Sequence, residues 1–156
     1  MDMKVLCGKV SVILACMVSI MAIIGTGMGI WNSNTYGDLL ASSIISENLY
    51  YGSIAQDMSM FLVSIILFCL SLAYLIKKNS KVLIAIVGLV WCEFYAFGLY
   101  VVQGQYTDLY LLYLLIFGVS IYGMIFGLMS LAKEEDVLLP KKVLRWVGGF
   151  LTTILV

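Results

Sequence analysis

Residues 10–31, VSVILACMVSIMAIIGTGMGIW, form a run of 22 residues without a charged side chain. A helix rises about 1.5 Å per residue, so about twenty predominantly apolar residues cross the roughly 30 Å of bilayer hydrocarbon. Three further stretches meet this requirement: 58–76, 82–102 and 109–132. The pattern predicts an all-α, polytopic membrane helical bundle with four transmembrane helices, in a single membrane domain covering residues 1–156.

The composition agrees with this fold class. Hydrophobic residues make up 63% of the chain and charged residues 12%, whereas about a quarter of the residues are charged in a typical soluble domain. Such a chain has too few polar side chains to cover its apolar groups in water. Nine basic and nine acidic residues give no net charge, which removes the electrostatic case for nucleic-acid binding.

The residue types restrict the chemistry. The chain has no histidine, which excludes Ser-His and Cys-His nucleophile pairs and histidine-ligated metals. Its cysteines, Cys7, Cys16, Cys69 and Cys92, show no C-x-x-C spacing, and none lies in a predicted external loop. We therefore expect no disulfide, no metal, no cofactor and no catalytic residues.

The C-terminal segment 143–156 has two interpretations. It is too short to span a bilayer, and it follows a helix break at Pro140. Its apolar residues Val143, Val147, Phe150 and Ile154 share one helical face, which is typical of an amphipathic helix in the membrane interface. Alternatively, it is the truncated start of a fifth spanning helix.

The basic residues predict the orientation, because short cytoplasmic loops are enriched in lysine and arginine. All nine fall on one side of the predicted spans: Lys4, Lys9, Lys77, Lys78, Lys81, Lys133, Lys141, Lys142 and Arg145. The loops 32–57 and 103–108 contain acids but no base. We predict a multi-pass plasma-membrane protein with its N-terminus and the tail after span four in the cytoplasm, and with these two loops outside.

The outer loop 32–57 is the largest segment outside the predicted spans. Apolar residues recur at helical spacing between Gly37 and Gly52, and Asp38 is placed to accept backbone donors at a helix start. We predict a short helix that rests on the membrane or caps the bundle, with a lid over a cavity as the alternative. Asp57, Gln103 and Asp108 form a candidate outer mouth.

Glu93 is the one acid inside a predicted span. It lies near the bilayer centre, where an ionised acid costs roughly 2.5–3.5 kcal/mol, and no span contains a base. It must be protonated, hydrogen-bonded to neutral groups or open to a water-filled cavity, in a functional or a structural role. Tyr100 lies on the same helical stripe, and the candidate partners at similar depth are Ser19, Ser64, Ser71, Ser120 and Tyr122.

Two G-x-x-x-G steps predict close helix packing. Gly25 and Gly29 lie on span one, and Gly123 and Gly127 lie on span four. We expect these glycines to pack helices within one chain, with a homodimer contact as the alternative.

The order of features resembles that of uncharacterised small polytopic membrane proteins of bacteria and archaea. The resemblance covers about residues 30–130. It is carried by the external loop that ends at Gln56-Asp57 and by tyrosine-rich spans around Glu93-Phe94-Tyr95 and Leu109-Tyr110-Leu111-Leu112-Tyr113. It implies an architecture with further helices after residue 142, and it carries no activity.

Three functions compete on these observations. The first is a non-enzymatic accessory or scaffold subunit that binds the lipid bilayer and a membrane-protein partner, favoured by short loops and packing glycines. The second is a component of a proton- or cation-linked transporter or channel that uses Glu93 and the mouth acids. The third is an intramembrane enzyme acting on a lipid or quinone, for which the sequence specifies no second catalytic group.

Overall fold

The computed structural model describes residues 3–32, 34–103 and 106–132. This part of the chain is 89% helical and contains no strand. Four of its helices are long and apolar enough to cross a membrane, which confirms the predicted fold class. The helices are α1 (Met3–Trp31), α2 (Asn34–Ala41), α3 (Glu47–Lys77), α4 (Ser80–Val102) and α5 (Tyr110–Leu131).

The four long helices form an antiparallel bundle. α1 and α4 each pack against both α3 and α5 and meet each other across the centre, while the short α2 packs on α3 and α1. Because the chain reverses direction between successive long helices, one end of the bundle carries Lys9, Lys77, Lys78 and Lys81. We call this the lysine end, and we call the opposite end, which carries α2, the loop end.

Each long helix buries one seam of residues at alternating steps of three and four, a mean spacing of 3.5. This spacing is typical of helices that cross at a small angle in a left-handed bundle. In α3 and α4 the buried seams are Ser53, Asp57, Met60, Ser64, Leu67 and Ser71, and Leu83, Ile86, Val90, Glu93, Phe97 and Tyr100. In α1 and α5 they are Gly8, Ser11, Ala15, Val18, Ala22, Gly25 and Gly29, and Tyr113, Ile116, Ser120, Gly123, Gly127 and Ser130.

The four glycines of the G-x-x-x-G steps are all buried in the bundle. A Cβ on Gly25 would lie 3.3 Å from Leu112 of α5, and a Cβ on Gly123 would lie 3.5 Å from Val90 of α4. A Cβ on Gly29 or Gly127 would overlap a neighbouring side chain, Asp57 or Val87 respectively. These are contacts between helices of one chain.

The loop between the first two spans differs from the sequence expectation. The second long helix begins at Glu47, about three turns before residue 58, because Ser46 caps it by accepting a hydrogen bond from the Leu49 amide at 3.3 Å. The short helix is α2, and Asp38 is an exposed residue within it rather than its cap. The segment 143–156 lies outside the described residues.

We expect Gly127→Ala to lower the free energy of unfolding by about 1–3 kcal/mol, because the new methyl group overlaps Val87 and lies 2.8 Å from Ser11 Oγ. The matched control is Gly118→Ala on the same helix, where a Cβ meets nothing within 4 Å. This control should be neutral or slightly stabilising, since alanine is the better helix former. The measurement is unfolding by SDS titration in mixed micelles, and equal effects of the two substitutions would contradict the packing.

Candidate functional site

The Asp57 carboxylate forms a buried polar cluster near the loop end. Asp57 is 0% exposed on α3. Tyr36 of α2 donates a hydrogen bond to Oδ2 at 2.7 Å, and Tyr100 of α4 donates to Oδ1 at 2.8 Å. Both carboxylate oxygens are therefore hydrogen-bonded, by hydroxyl groups from two other helices.

A third tyrosine extends the cluster to α5. The Tyr113 and Tyr36 hydroxyl oxygens are 3.0 Å apart. Because the Tyr36 proton is directed to Asp57, Tyr113 is the donor in this pair. The rings of Tyr100 and Tyr113 stack with centroids 4.9 Å apart. Burial raises the pKa of the Tyr36 hydroxyl above its ordinary value, which keeps this group a neutral donor.

Local structure brings these groups together. The chain turns back after α1, where the Thr35 hydroxyl donates to the Met28 carbonyl at 3.3 Å, and this turn directs Tyr36 into the bundle. Gly29 of α1 leaves space for the Asp57 carboxylate, since a Cβ there would overlap Oδ2. The remaining tyrosines lie where α4 ends and α5 begins. All five helices thus contact the cluster, which we call the Asp57 cluster.

Two further bonds connect α3 and α4 around this cluster. The Gln56 side-chain amide donates to the Ala96 carbonyl at 2.9 Å. The Tyr100 hydroxyl also lies 3.0 Å from the Ser53 carbonyl, so its single proton is shared between this oxygen and Asp57.

Glu93 forms a second connection between the same helices, two turns deeper in the bundle. It is 0% exposed. The Ser64 hydroxyl lies 2.7 Å from its Oε1 and also 2.7 Å from the Met60 carbonyl of its own helix, so its single proton is shared between these two oxygens. The Glu93 Oε2 atom has no hydrogen-bond partner among the described residues. Ser64 is seven residues after Asp57, and Glu93 is seven residues before Tyr100. The Asp57–Tyr100 and Ser64–Glu93 contacts are therefore two polar contacts, two helical turns apart, in the same antiparallel interface between α3 and α4.

The other candidate partners of Glu93 do not reach it. Ser19 and Ser120 donate to carbonyls of their own helices, those of Cys16 and Ile116, at 2.8 and 2.7 Å. Ser71 is buried beside the Cys16 thiol. Tyr122 was expected in the interior, but it is 61% exposed on the outward side of α5, because it lies off the buried 3.5-residue seam of that helix.

The expected outer mouth is not assembled. Asp57 lies inside the bundle because α3 begins ten residues before it and α2 covers it. Asp108 is exposed and lines a separate polar cavity of about 130 Å³ together with Asp38. Gln103 is an exposed residue at the end of α4.

The Asp57 cluster is suited to fixing helices in place. Hydroxyl donors stabilise a buried carboxylate without a neighbouring cation, and each donor here comes from a different helix. Within the described residues, no group of three histidine, cysteine, aspartate or glutamate side chains could hold a metal ion.

The sequence did not predict the roles of Tyr36 and Tyr113 in this cluster. Tyrosine at the end of a span is typical of an anchor at the membrane interface. The sequence pattern does not distinguish such an anchor from a tyrosine whose hydroxyl points into the bundle. The 3.5-residue seam of α5 was the available signal, since Tyr113 begins it three residues before Ile116.

No protein-family model, curated protein or solved structure matches this chain. The function must therefore be argued from the chain's own residues.

We expect Tyr100→Phe to destabilise the bundle by about 1–3 kcal/mol, because it removes a donor from a buried carboxylate oxygen while leaving the ring in place. The control is Tyr106→Phe, the same chemical change on an exposed ring, which should change stability by less than about 0.5 kcal/mol. SDS titration in mixed micelles measures both. If the two variants unfold alike, the Asp57 cluster does not hold the helices together.

Proposed function

We propose that this protein is a non-enzymatic accessory or scaffold subunit that binds another integral membrane protein through the outward surfaces of α4 and α5. The observation that carries the proposal is a set of exposed aromatic side chains with polar groups at mid-helix. Trp91 is 57% exposed, Tyr95 is 64% exposed and Tyr122 is 61% exposed.

Their depth makes these side chains unusual for a lipid-facing surface. Trp91 is the central residue of α4, and Tyr122 is close to the centre of α5. Tryptophan and tyrosine that face lipid are normally concentrated at the membrane boundaries, where their polar groups meet water and headgroups. Hydrocarbon offers no partner for an indole N–H or a phenol O–H. A protein helix with hydrogen-bond acceptors would satisfy them.

The buried acids support a scaffold more than a transporter. A carrier must expose its ionisable groups to water or substrate at some stage, whereas Asp57 and Glu93 are both 0% exposed. Asp57 is also fully engaged by hydroxyl donors, and Glu93 is bonded across the same α3–α4 interface.

We also propose that the lysine end faces the cytoplasm and the loop end faces outward, in the plasma membrane. The antiparallel bundle collects Lys9, Lys77, Lys78 and Lys81 at one end. Lysines in short loops set the orientation of multi-pass proteins.

A photoreactive amino acid placed at Tyr95 or at Tyr122 in living cells should form adducts with the same partner protein. The matched control is Leu62 on α3, which lies at the depth of Tyr95 in the antiparallel register and is 63% exposed. This position should give no protein adduct. Gel analysis and mass spectrometry of the purified adducts identify the products.

Two outcomes of this crosslinking would overturn the accessory role. One is that all three positions react only with lipid, which would leave the α4 and α5 surfaces without a protein partner. The other is that the adduct contains a second copy of this chain, which would replace an accessory role by self-association.

For the orientation, we expect a membrane-impermeant maleimide to label Ser42→Cys in intact cells and to label Ala132→Cys only after permeabilisation. Both positions are exposed, and they lie at opposite ends of the bundle. The unsubstituted chain measures the background from its four native cysteines. The reverse labelling pattern would show the opposite orientation.

A further inference from the structure

A cavity of about 210 Å³ opens at the lysine end, where all four long helices converge. Its lining residues come from α1, from α3 and its C-cap, from α4 and from α5: Val5, Lys9, Tyr74, Lys78, Ser80, Leu83 and Ser130. The lining therefore combines two ammonium groups, three hydroxyl groups and two apolar side chains. Among the described residues, the lining includes no acid.

The positive groups approach the cavity from two sides. Lys9 is half-buried on the second turn of α1, while Lys78 is exposed at the C-cap of α3, where the chain turns in the left-handed conformation with φ of 45°. Ser80 is the first residue of α4. The N-terminus of this 23-residue helix adds a partial positive charge and backbone N–H donors on the same side.

Gly8 of α1 lies next to two of the hydroxyl groups that line the cavity. A Cβ at Gly8 would lie 2.9 Å from Ser130 Oγ and 2.9 Å from Tyr74 Oη. The Ser130 hydroxyl of α5 and the Tyr74 hydroxyl of α3 therefore both lie close to Gly8 of α1, which has no side chain to exclude them. A cavity lined by hydroxyl groups and lysine side chains is complementary to a phosphate group.

We propose that this cavity binds the phosphate group of an anionic membrane lipid. Lys9 and Lys78 contact the phosphate oxygens, and the hydroxyl-lined part of the cavity contacts the rest of the polar headgroup. Basic pockets between transmembrane helices at the membrane boundary have the chemistry that binds anionic headgroups. Ile13 lies one helical turn further into the bundle than Lys9 and is 52% exposed, so α1 offers an apolar surface along which an acyl chain can lie.

The experiment uses the full chain purified in a nonionic detergent. Native mass spectrometry counts the bound lipid during titration with phosphatidylglycerol, which is anionic, and with phosphatidylcholine, which carries a phosphate but no net charge. A separate titration with inorganic phosphate, followed by competition against the lipid, distinguishes a headgroup from a soluble anion.

The variant is Lys9→Gln with Lys78→Gln, and the matched control is Lys77→Gln with Lys81→Gln. The control removes the same charge from the same end but leaves the cavity lining intact. Two lysines near a headgroup contribute a preference of roughly 30-fold. We expect the variant to lose affinity for phosphatidylglycerol by about this factor, and the control to change it little at physiological salt.

Each outcome bears on the proposal. Anionic-lipid binding that depends on Lys9 and Lys78 supports it with a lipid source, and phosphate binding with the same dependence, without lipid binding, supports the site with a soluble source. Equal binding of the two lipids, or equal loss in the variant and the control, would overturn it. All four lysines lie at the end of the bundle, so loss of folding is not expected, and an unchanged circular dichroism spectrum verifies this.

Discussion

The hydrogen bonds that converge on the Asp57 carboxylate connect α2, α3, α4 and α5, and α1 packs closely against the same carboxylate. Tyr36 and Tyr100 bond its two oxygens from α2 and α4, Tyr113 reaches it through Tyr36 from α5, and Gly29 of α1 leaves space for it. In lipid, helices gain nothing from burying one apolar surface against another, so their association depends on close packing and on polar contacts. A carboxylate without donors at this position would be a severe cost. The cluster thus fixes where each helix lies at the loop end.

The same constraint explains the seams of small and polar residues along the bundle. Serine, glycine and alanine occupy six of the seven positions of the α1 seam and four of the six positions of the α5 seam, which lets the backbones approach closely. Large apolar residues such as Leu62, Leu111 and Leu114 lie on the exposed surface instead. The α1 and α5 seams thus differ from those of a soluble bundle, in which the seam carries the large apolar residues, whereas the α4 seam retains Leu83, Ile86, Val90 and Phe97. The seam period of 3.5 residues is nevertheless preserved.

The sequence predicts the features that depend on local properties and does not predict those that depend on how the helices pack. Hydropathy located the four spans, because length and apolar content are local properties. It placed the start of the second span at residue 58, because Gln56 and Asp57 end the apolar run, whereas the helix itself begins at Glu47. The depth argument correctly included Ser64 among the groups level with Glu93. It had no means to prefer Ser64 over Ser120, since α3 and α5 both pack against α4 and the choice depends on the rotation and register of each helix.

At each end of the bundle a glycine of α1 lies close to polar side chains of the neighbouring helices, but the space around those side chains differs. At the loop end, Gly29 leaves room for Asp57, and the buried rings of Tyr36, Tyr100 and Tyr113 lie around its carboxylate. At the lysine end, Gly8 leaves room for the hydroxyls of Tyr74 and Ser130, and the space above them is an open cavity bordered by Lys9 and Lys78. In this conformation the Asp57 and Glu93 carboxylates are sealed from water and lipid, whereas the groups that border the open cavity are accessible to a ligand. The buried acids, which the sequence singles out most clearly, therefore connect helices in this fold, and we propose the lysines of the cavity and the exposed mid-helix aromatic side chains as the contacts with other molecules.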